Sequence, residues 1–272
     1  MNRIATAAAN CRDARRGSLL AAACKAALSG GAILTSRYNQ PHTIRMKGKT
    51  DLVTEADLAA QETITTSLQQ DTPGIAQLAE ESAQSHSVNL DGLLWIVDPL
   101  DGTTNFAHGF PYFCVSIALL DQGRPKVCAI YSPCMDELFY ACAGIGAWLN
   151  GKPIKVTAAN QLINSLIGTG FPYNIPQHLQ EIISQMETVL PRVRDIRRAG
   201  AAALDLAYVA CGRLDGFYER ELQPWDTAAG WLLVEEAGGR VSNYAGKSFS
   251  VFAKEIVATN CSLHHNLLQL LT

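Results

Sequence analysis

The amino-acid sequence predicts a mixed α/β fold, of the α+β or layered α/β type, in one large domain. Helix-like segments alternate with short apolar runs along the chain, and residues 112–142 resemble an antiparallel meander whose strands are separated by turns at 121–123 and 132–133. No linker, low-complexity stretch or internal repeat interrupts the 272 residues, of which 48% are hydrophobic. We therefore expect a single domain over residues 1–272, in which residues 1–14 are the ragged and flexible start of a first helix.

Glycine, proline and capping residues divide the chain into predicted elements. The predicted helices cover approximately 15–38, 55–70, 176–189, 201–211 and 225–237, followed by a short helix at the carboxyl end. Outside the meander, the predicted strands are 75–79, 95–97, 165–169, 214–218 and 256–259.

Composition excludes several classes of protein. The net charge of −3 is not concentrated in a basic or acidic block, which argues against a general nucleic-acid surface. Asp13, Arg15, Arg16 and Lys25 interrupt the apolar amino-terminal region, so we expect neither a secretory signal nor a membrane span. The eight cysteines form no Cys-x-x-Cys pair, which favours reduced, buried thiols in a cytoplasmic protein over a zinc site or a disulfide framework.

Residues 95–106, WIVDPLDGTTNF, are the most informative segment. An apolar run predicts a buried strand, after which Asp98 and Asp101 flank Pro99 on a turn. Gly102 and the two threonines that follow are able to begin a helix, whose first backbone N–H groups would face an anion. The segment therefore offers carboxylate oxygens for a hard cation and amides for a phosphate. A solvated turn that caps a helix is the alternative.

Other acidic residues also occur where a strand or turn gives way, at Glu80-Glu81 and at Asp226. Asp226 alone fits a helix cap, and Asp57 has capping-box spacing from Thr54. If these carboxylates instead converge in one pocket, their mutual repulsion requires cations. Oxygen ligands favour Mg²⁺, with Mn²⁺ as the next choice.

Four motifs in order resemble the inositol monophosphatase family of Mg²⁺-dependent, lithium-sensitive phosphatases. They are DLVTEAD at 51–57, EES at 80–82, WIVDPLDGTTNFAH at 95–108, and WDTAAG at 225–230 with EEAGG at 235–239. RRAG at 197–200 and LDLAY at 204–208 look most like the bacterial branch. The resemblance implies a five-layered αβαβα sandwich of the sugar-phosphatase type, commonly a homodimer, that hydrolyses a phosphate monoester with a metal-activated water.

The resemblance also implies a role for each matching position. The first metal would be held by Glu80, Asp98 and the backbone carbonyl of Leu100. The second would be held by Asp98, Asp101 and Asp226, and Glu80 would also face a third, weaker site. Thr103 and Asp57 would orient and deprotonate the attacking water. The remaining positions would contact the substrate. The backbone N–H groups of Gly102 and Thr103 would bind the phosphate, and Glu219 and the backbone of Ala202 would contact the sugar ring. Lys47 would be a basic residue on a loop near the metals.

The substrate is less sharply indicated than the chemistry. Myo-inositol 1-phosphate is the first choice, but Ala201 replaces the usual Thr or Ser, which we expect to remove a hydroxyl from the substrate side of the pocket. Fructose 1,6-bisphosphate, histidinol phosphate and 3′-phosphoadenosine 5′-phosphate are the alternative substrates. Tyr173 and residues 194–198 could contact the base of a nucleotide. Arg197 and Arg198, however, fit a dimer contact or a surface better. A regulatory or binding role on the same fold is a second alternative. We expect residues 264–265, two histidines, to be solvated.

Overall fold

The computed structural model describes residues 2–40, 44–46, 52–83 and 90–271. Within these ranges the chain forms α-helices that we number α1 to α8. Their bounds are Arg3–Asn10 (α1), Ala14–Arg37 (α2), Glu55–Asp71 (α3), Thr103–Ala107 (α4), Ile175–Val189 (α5), Ala202–Ala210 (α6), Pro224–Glu236 (α7) and His264–Leu271 (α8).

The strands form two main sheets and one short antiparallel pair. The pair joins β1 (Ile44–Met46) to β2 (Leu52–Thr54). The large sheet has the order β3-β4-β5-β6-β7-β8-β9, made of Ala76–Ala79, Leu93–Asp101, Cys114–Asp121, Arg124–Ser132, Glu137–Cys142, Gly146–Leu149 and Lys152–Pro153. The smaller sheet has the order β11-β10-β12-β14-β13, made of Asp195–Arg197, Leu166–Thr169, Gly216–Arg220, Glu255–Thr259 and Arg240–Ser242.

Helices and sheets alternate in five layers, as the resemblance implied. Helices α2 and α3 cover one face of the large sheet, and α6 and α7 pack between that sheet and the smaller one. Helices α5 and α8 cover the outer face of the smaller sheet. Helices α6 and α7 lie so close that a Cβ atom at Gly230 would stand 2.4 Å from the Cβ atom of Leu206. This close contact sets the position of both helices, whose first turns contribute to the candidate site.

The predicted elements are largely confirmed, and the meander over residues 112–142 is present as β5 to β7. The strand predicted at 95–97 is longer, because β4 continues through both aspartates to Asp101. Asp98 pairs with Ser116 and Asp101 with Cys114, so the segment between them forms a bulge. Pro99 has no N–H to donate to the ladder, which makes it compatible with a bulge. The sequence did not indicate the short strands β1, β8, β9, β11 and β13, of two to four residues each, because it predicted a loop or a turn at the first three. It also did not indicate that residues 3–10 form a helix of their own, separate from α2.

One cysteine pair departs from the prediction of reduced thiols. Cys11, which follows α1, is joined in a disulfide to Cys142 at the end of β7. The two cysteines are 131 residues apart, so no local spacing could reveal the pair. Cys24, Cys114 and Cys128 are free and buried, as predicted.

Helix α2 is long and apolar enough, by length and composition alone, to cross a membrane. More than half of its most apolar window is buried inside the protein, against α3 and the large sheet. These contacts identify α2 as a core helix.

The prediction of two solvated histidines is wrong for one of them. His264 is 1% exposed, and its ring nitrogens lie 2.8 Å from Ser242 Oγ and 3.0 Å from Thr259 Oγ1, whereas His265 is exposed. Burial, with a smaller effect of Arg240, lowers the pKa of His264 to about 4.

This burial predicts a loss of stability in mild acid. Because the pKa is lower in the folded than in the unfolded state, stability is complete above pH ~6.5 and is lost as the pH falls from there towards 4. Between pH 7.5 and 5, we expect His264 to reduce the free energy of unfolding by up to about 2 kcal/mol. Urea unfolding measures this effect: the free energy of unfolding of H264Q should depend less on pH than that of the unaltered protein. The control H265Q, at an exposed position, should keep the full pH dependence. An equal pH dependence in all three proteins would contradict this account.

Candidate active site

A pocket of about 710 Å³ lies where the carboxyl end of β4 meets the first turns of α4, α6 and α7 and the strand β12. Four of the sequence-predicted acidic residues line it, namely Glu80, Asp98, Asp101 and Asp226. The two aspartates of β4 are almost completely buried, at 1% and 9% exposure. The structure therefore brings together the residues that the sequence separates by 146 positions.

Backbone N–H groups fix the orientation of the carboxylates in this pocket. Asp98 Oδ1 accepts a hydrogen bond of 3.0 Å from the N–H of Leu100, across the bulge. Asp101 Oδ2 accepts one of 2.7 Å from the N–H of Ala203 in α6, and the thiol of Cys114 lies 3.7 Å from the same oxygen. Hydrogen bonds from the backbone thus orient both aspartates of β4 without a bound metal or substrate.

Asp226 combines the two roles that the sequence left open. Its Oδ2 accepts a hydrogen bond of 2.7 Å from the N–H of Gln223, the residue that precedes α7. It is therefore a helix cap and, at the same time, part of the pocket wall. The capping interpretation is confirmed for this residue, and its place on the pocket wall is compatible with the role in metal binding that the resemblance implies.

The electrostatics of the pocket favour a bound cation. Desolvation raises the pKa of Asp98 well above its usual value, and Glu80, Asp101 and Asp226 raise it further. Desolvation also raises the pKa of Asp101 to about 7, although its hydrogen bond from Ala203 acts in the opposite direction. Among the described ranges no three acidic, histidine or cysteine side chains close into a compact metal cage. An all-oxygen donor set whose members repel one another nevertheless fits a hard divalent cation.

Thr103 and Asp57 lie in direct contact beside the carboxylates. Thr103 Oγ1 is 3.1 Å from Asp57 Oδ1 and 3.0 Å from the carbonyl oxygen of Leu100. The other oxygen of Asp57 accepts hydrogen bonds from the N–H and the hydroxyl of Thr54, at 2.8 and 2.6 Å, which confirms the predicted capping box. Thr103 lines the pocket, whereas Asp57 is fully buried behind it and reaches the pocket through the threonine hydroxyl.

Gly102 begins α4 in a conformation that other residues adopt only with strain, with φ at +94°. A Cβ atom there would lie 3.0 Å from the carbonyl oxygen of Tyr112 and 3.3 Å from the Cβ of Ala201. Both Gly102 and Thr103 line the pocket.

The predicted substrate contacts differ in outcome. Glu219 and Ala202 line the pocket, and the carboxyl group of Glu219 lies so close to Gly170 that a side chain there would collide with it. Desolvation raises the pKa of Glu219 well above its usual value, as does Asp205, whereas Arg198 acts in the opposite direction. Lys47 lies outside the described residues.

Ala201 does not affect the pocket in the way that the sequence suggested. It is 1% exposed, it precedes α6 as the N-cap residue, and it packs against Gly102 instead of lining the pocket. An alanine cannot cap a helix, and Asp101 takes over that function by accepting the N–H of Ala203. An alanine directly before α6 is the feature of the sequence that could have indicated a cap from another segment.

Sequence reasoning missed Phe171 and considered Arg198 only as part of the 194–198 stretch that could serve a nucleotide. Both line the pocket, and the guanidinium carbon of Arg198 lies 5.4 Å from the centre of the Phe171 ring. Among the described residues, Arg198 makes no hydrogen bond or ion pair, whereas Arg197 lies 2.6 Å from Asp195. Of the two roles considered for Arg198, a surface or dimer contact and a substrate contact, its place on the pocket wall favours the second.

Acidic oxygens suit a cation, and the first turn of a helix suits an anion. A pocket of this kind in a layered sandwich is typical of a phosphoric monoester hydrolase. The family model described as the inositol monophosphatase family matches residues 16–272. The chain belongs to the inositol monophosphatase family, whose members are generally metal-dependent.

Individual relatives agree with this membership. The chain is 44% identical to inositol-1-monophosphatase of Synechocystis over 92% of its own length and 87% of that protein. It is 41% identical to Nus factor SuhB of Escherichia coli, with 89% and 91% of the two chains covered. The crystal structure of the extragenic suppressor protein suhB from Bartonella henselae superposes with a TM-score of 0.88 at 41% identity, over 93% of this chain and 98% of that one.

Substitution of Asp98 should change stability in opposite directions without and with a divalent cation. In the metal-free protein, D98N replaces a carboxylate whose charged form is disfavoured by burial and by three neighbouring carboxylates, so we expect a melting temperature at least as high as before. In the unaltered protein, a cation at about 100 times its dissociation constant should stabilise the fold by about 2.7 kcal/mol, and D98N should lose most of this gain.

Melting temperatures with chelator and with added Mg²⁺ or Mn²⁺ measure both effects. The control is D71N, which alters a surface carboxylate that lies 2.8 Å from Lys25. Stabilisation of D98N by the cation to the same extent as D71N would exclude Asp98 as a ligand.

Proposed function

We propose that the protein hydrolyses a phosphate monoester in a Mg²⁺-dependent reaction, with myo-inositol 1-phosphate as the leading substrate. The observation that carries the proposal is the placement of four carboxylates on one pocket, next to the contact between Thr103 and Asp57. The relative named inositol-1-monophosphatase supports the choice of substrate.

The carboxylates divide between the metal positions as the resemblance implies. Glu80, Asp98 and the carbonyl of Leu100 hold the first metal, Asp98, Asp101 and Asp226 hold the second, and Glu80 also faces a third, weaker position. Mg²⁺ suits these hard oxygen donors, and Mn²⁺ is the next choice. When bound, the metals lower the pKa of a coordinated water and neutralise charge that develops on the phosphate and the leaving oxygen.

Thr103 and Asp57 orient the attacking water and take its proton. Thr103 Oγ1 accepts a hydrogen bond from the water, while its own proton points at Asp57 Oδ1, 3.1 Å away. Asp57 cannot turn, because Thr54 holds its other oxygen through two hydrogen bonds. The pair therefore positions the water in line with the ester bond.

The substrate is held at both ends. The N–H groups of Gly102 and Thr103 donate to the phosphate at the start of α4. The carboxyl group of Glu219, which also lines the pocket, contacts a sugar hydroxyl, and the backbone of Ala202 contacts the same ring. Lys47 is proposed from the resemblance alone as a basic residue near the metals.

The experiment that tests the proposal is phosphate release from a panel of monoesters, with and without Mg²⁺. We expect Mg²⁺-dependent release led by inositol 1-phosphate, inhibition by Li⁺, and no turnover by D98N. Release led by fructose 1,6-bisphosphate, histidinol phosphate or 3′-phosphoadenosine 5′-phosphate would retain the mechanism and change the substrate. No release from any member of the panel would refute the proposal.

Arg198 favours a second candidate substrate, one that carries another anionic group. Its guanidinium lies on the pocket wall without an ion-pair partner among the described residues, and a planar cation of this kind suits a second phosphate. Fructose 1,6-bisphosphate meets this requirement, and inositol 1-phosphate does not.

Substitution of Arg198 distinguishes the two substrates. If the second phosphate binds there, R198A should raise the KM for fructose 1,6-bisphosphate about tenfold, which corresponds to about 1.4 kcal/mol, and should leave the KM for inositol 1-phosphate nearly unchanged. The control R197A removes the neighbouring arginine, which pairs with Asp195. A similar small effect of R198A on both substrates would eliminate the second-phosphate role.

Assembly and location are also proposals. A homodimer is expected from the resemblance. The exposed apolar side chains of Ile175, Leu179 and Ile183 on one face of α5 offer a surface for it, and sedimentation would test whether the protein dimerises.

We place the protein in the cytoplasm, bound neither to a membrane nor to nucleic acid in general. The relative named Nus factor SuhB supports a second, binding role, which a pull-down with D98N would separate from catalysis.

A further inference from the structure

The last polar residue of the 95–106 motif, Asn105, has no role in the reaction proposed above. Its side-chain amide donates to three carbonyl oxygens, those of Tyr112 at 2.7 Å, Ala199 at 2.9 Å and Gly200 at 3.3 Å. An amide has two N–H groups, so the carbonyls of Ala199 and Gly200 share one of them. One side chain in α4 thus holds two separate segments of the chain.

Tyr112 extends this connection to the middle layer of the sandwich. Its hydroxyl donates a hydrogen bond of 2.7 Å to Asp205 Oδ1 in α6, where the carboxylate is 1% exposed. Burial raises the pKa of Asp205 to about 7, and the hydrogen bond from Tyr112 opposes that shift by stabilising the carboxylate. Helix α4 is therefore tied to α6 through Tyr112 on one side and through residues 199–200 on the other.

The two connections enclose the turn that begins α4. The backbone of Tyr112 and the side chain of Ala201 both lie against Gly102, where a Cβ atom would meet them at 3.0 and 3.3 Å. On the same side, the N–H of Ala203 reaches Asp101 at 2.7 Å. Any shift of the first turn of α6 would therefore move the surroundings of Gly102 and the partner of Asp101 together.

We propose that Asn105 and Tyr112 are positioning residues, which hold the first turn of α6 against the first turn of α4 and so keep the phosphate-binding turn in its productive geometry. Neither residue touches the reacting atoms in this arrangement; each acts through Gly102 and Ala203. Displacements of about 1 Å in such a support lower rates by up to about a hundredfold. The consequence for phosphate rests on the proposed function, but the consequence for the motion of α6 does not.

Two substitutions test the proposal. N105D preserves the shape of the side chain, removes both N–H donors and presents a carboxylate to three carbonyl oxygens. Y112F removes only the hydroxyl that reaches Asp205. The matched control is Y208F, because the Tyr208 ring packs edge-on against Tyr112 at 5.6 Å while its hydroxyl lies near Arg213.

The first measurement is backbone hydrogen–deuterium exchange of residues 199–205 in the metal-free protein, well below the melting temperature. We expect exchange at least about tenfold faster in N105D and Y112F than in the unaltered protein, and unchanged exchange in Y208F. Exchange that matches Y208F in both variants would overturn the proposal.

The second measurement is the affinity for inorganic phosphate in the presence of Mg²⁺, determined by inhibition and by calorimetry. We expect the dissociation constant and the KM to rise together by about tenfold in N105D and Y112F and to stay within twofold in Y208F. A bond with only a structural role would lower the melting temperature and leave phosphate affinity unchanged, which would also overturn the proposal. If the unaltered protein binds no phosphate and releases none, the proposed function fails, and the exchange measurement still decides whether these residues hold α6.

Discussion

The hydrogen bond from the N–H of Ala203 to Asp101 is the interaction on which the site depends most. It crosses from the large sheet to the middle helix layer over 2.7 Å and is buried at both ends. Helix α6 begins after Ala201, which has no side-chain acceptor, so the buried N–H group of Ala203 in its first turn would otherwise lack a partner. The carboxylate of Asp101 therefore caps α6, and α6 in turn orients the carboxylate. A shift of either one would break this hydrogen bond.

Two other acidic residues also accept a capping N–H group, in their case within the first turn of their own helix. Asp57 accepts the N–H of Thr54 at the start of α3, and Asp226 accepts the N–H of Gln223 at the start of α7. In all three cases the cap engages Oδ2 of the carboxylate. Capping thus orients each side chain before a metal or substrate arrives, which lowers the cost of assembling the site on binding.

Much of the fold was predictable where local signals decide it. The turns at 121–123 and 132–133 separate strands that pair with their immediate neighbours, so the meander followed from sequence alone. The five layers required the family resemblance, because periodicity does not indicate which faces meet. The acidic members of the site were also predictable, since their positions in the four motifs do not depend on tertiary detail.

The rest could not be predicted because distant segments determine it. The burial of His264 depends on hydroxyls of Ser242 and Thr259, which only the smaller sheet brings to its ring. Likewise, the disulfide between Cys11 and Cys142 requires that the segment after α1 reach the end of β7. In both cases a side chain that is polar or reactive in sequence is enclosed by contacts across more than one element, and propensity contains no information about such contacts.

The buried carboxylate of Asp98 opposes stability in a metal-free protein, since burial and the neighbouring carboxylates both raise its pKa. A fold tolerates such a group only where other contacts over-determine its position. Here the supports are rigid: a bulge in the second strand of a seven-stranded sheet, and helices packed so closely that Gly230 leaves no room for a side chain. The rigidity of the middle layer is therefore the physical condition that allows carboxylates that repel one another to remain within one pocket, and a cation bound there would relieve their repulsion and stabilise the folded state.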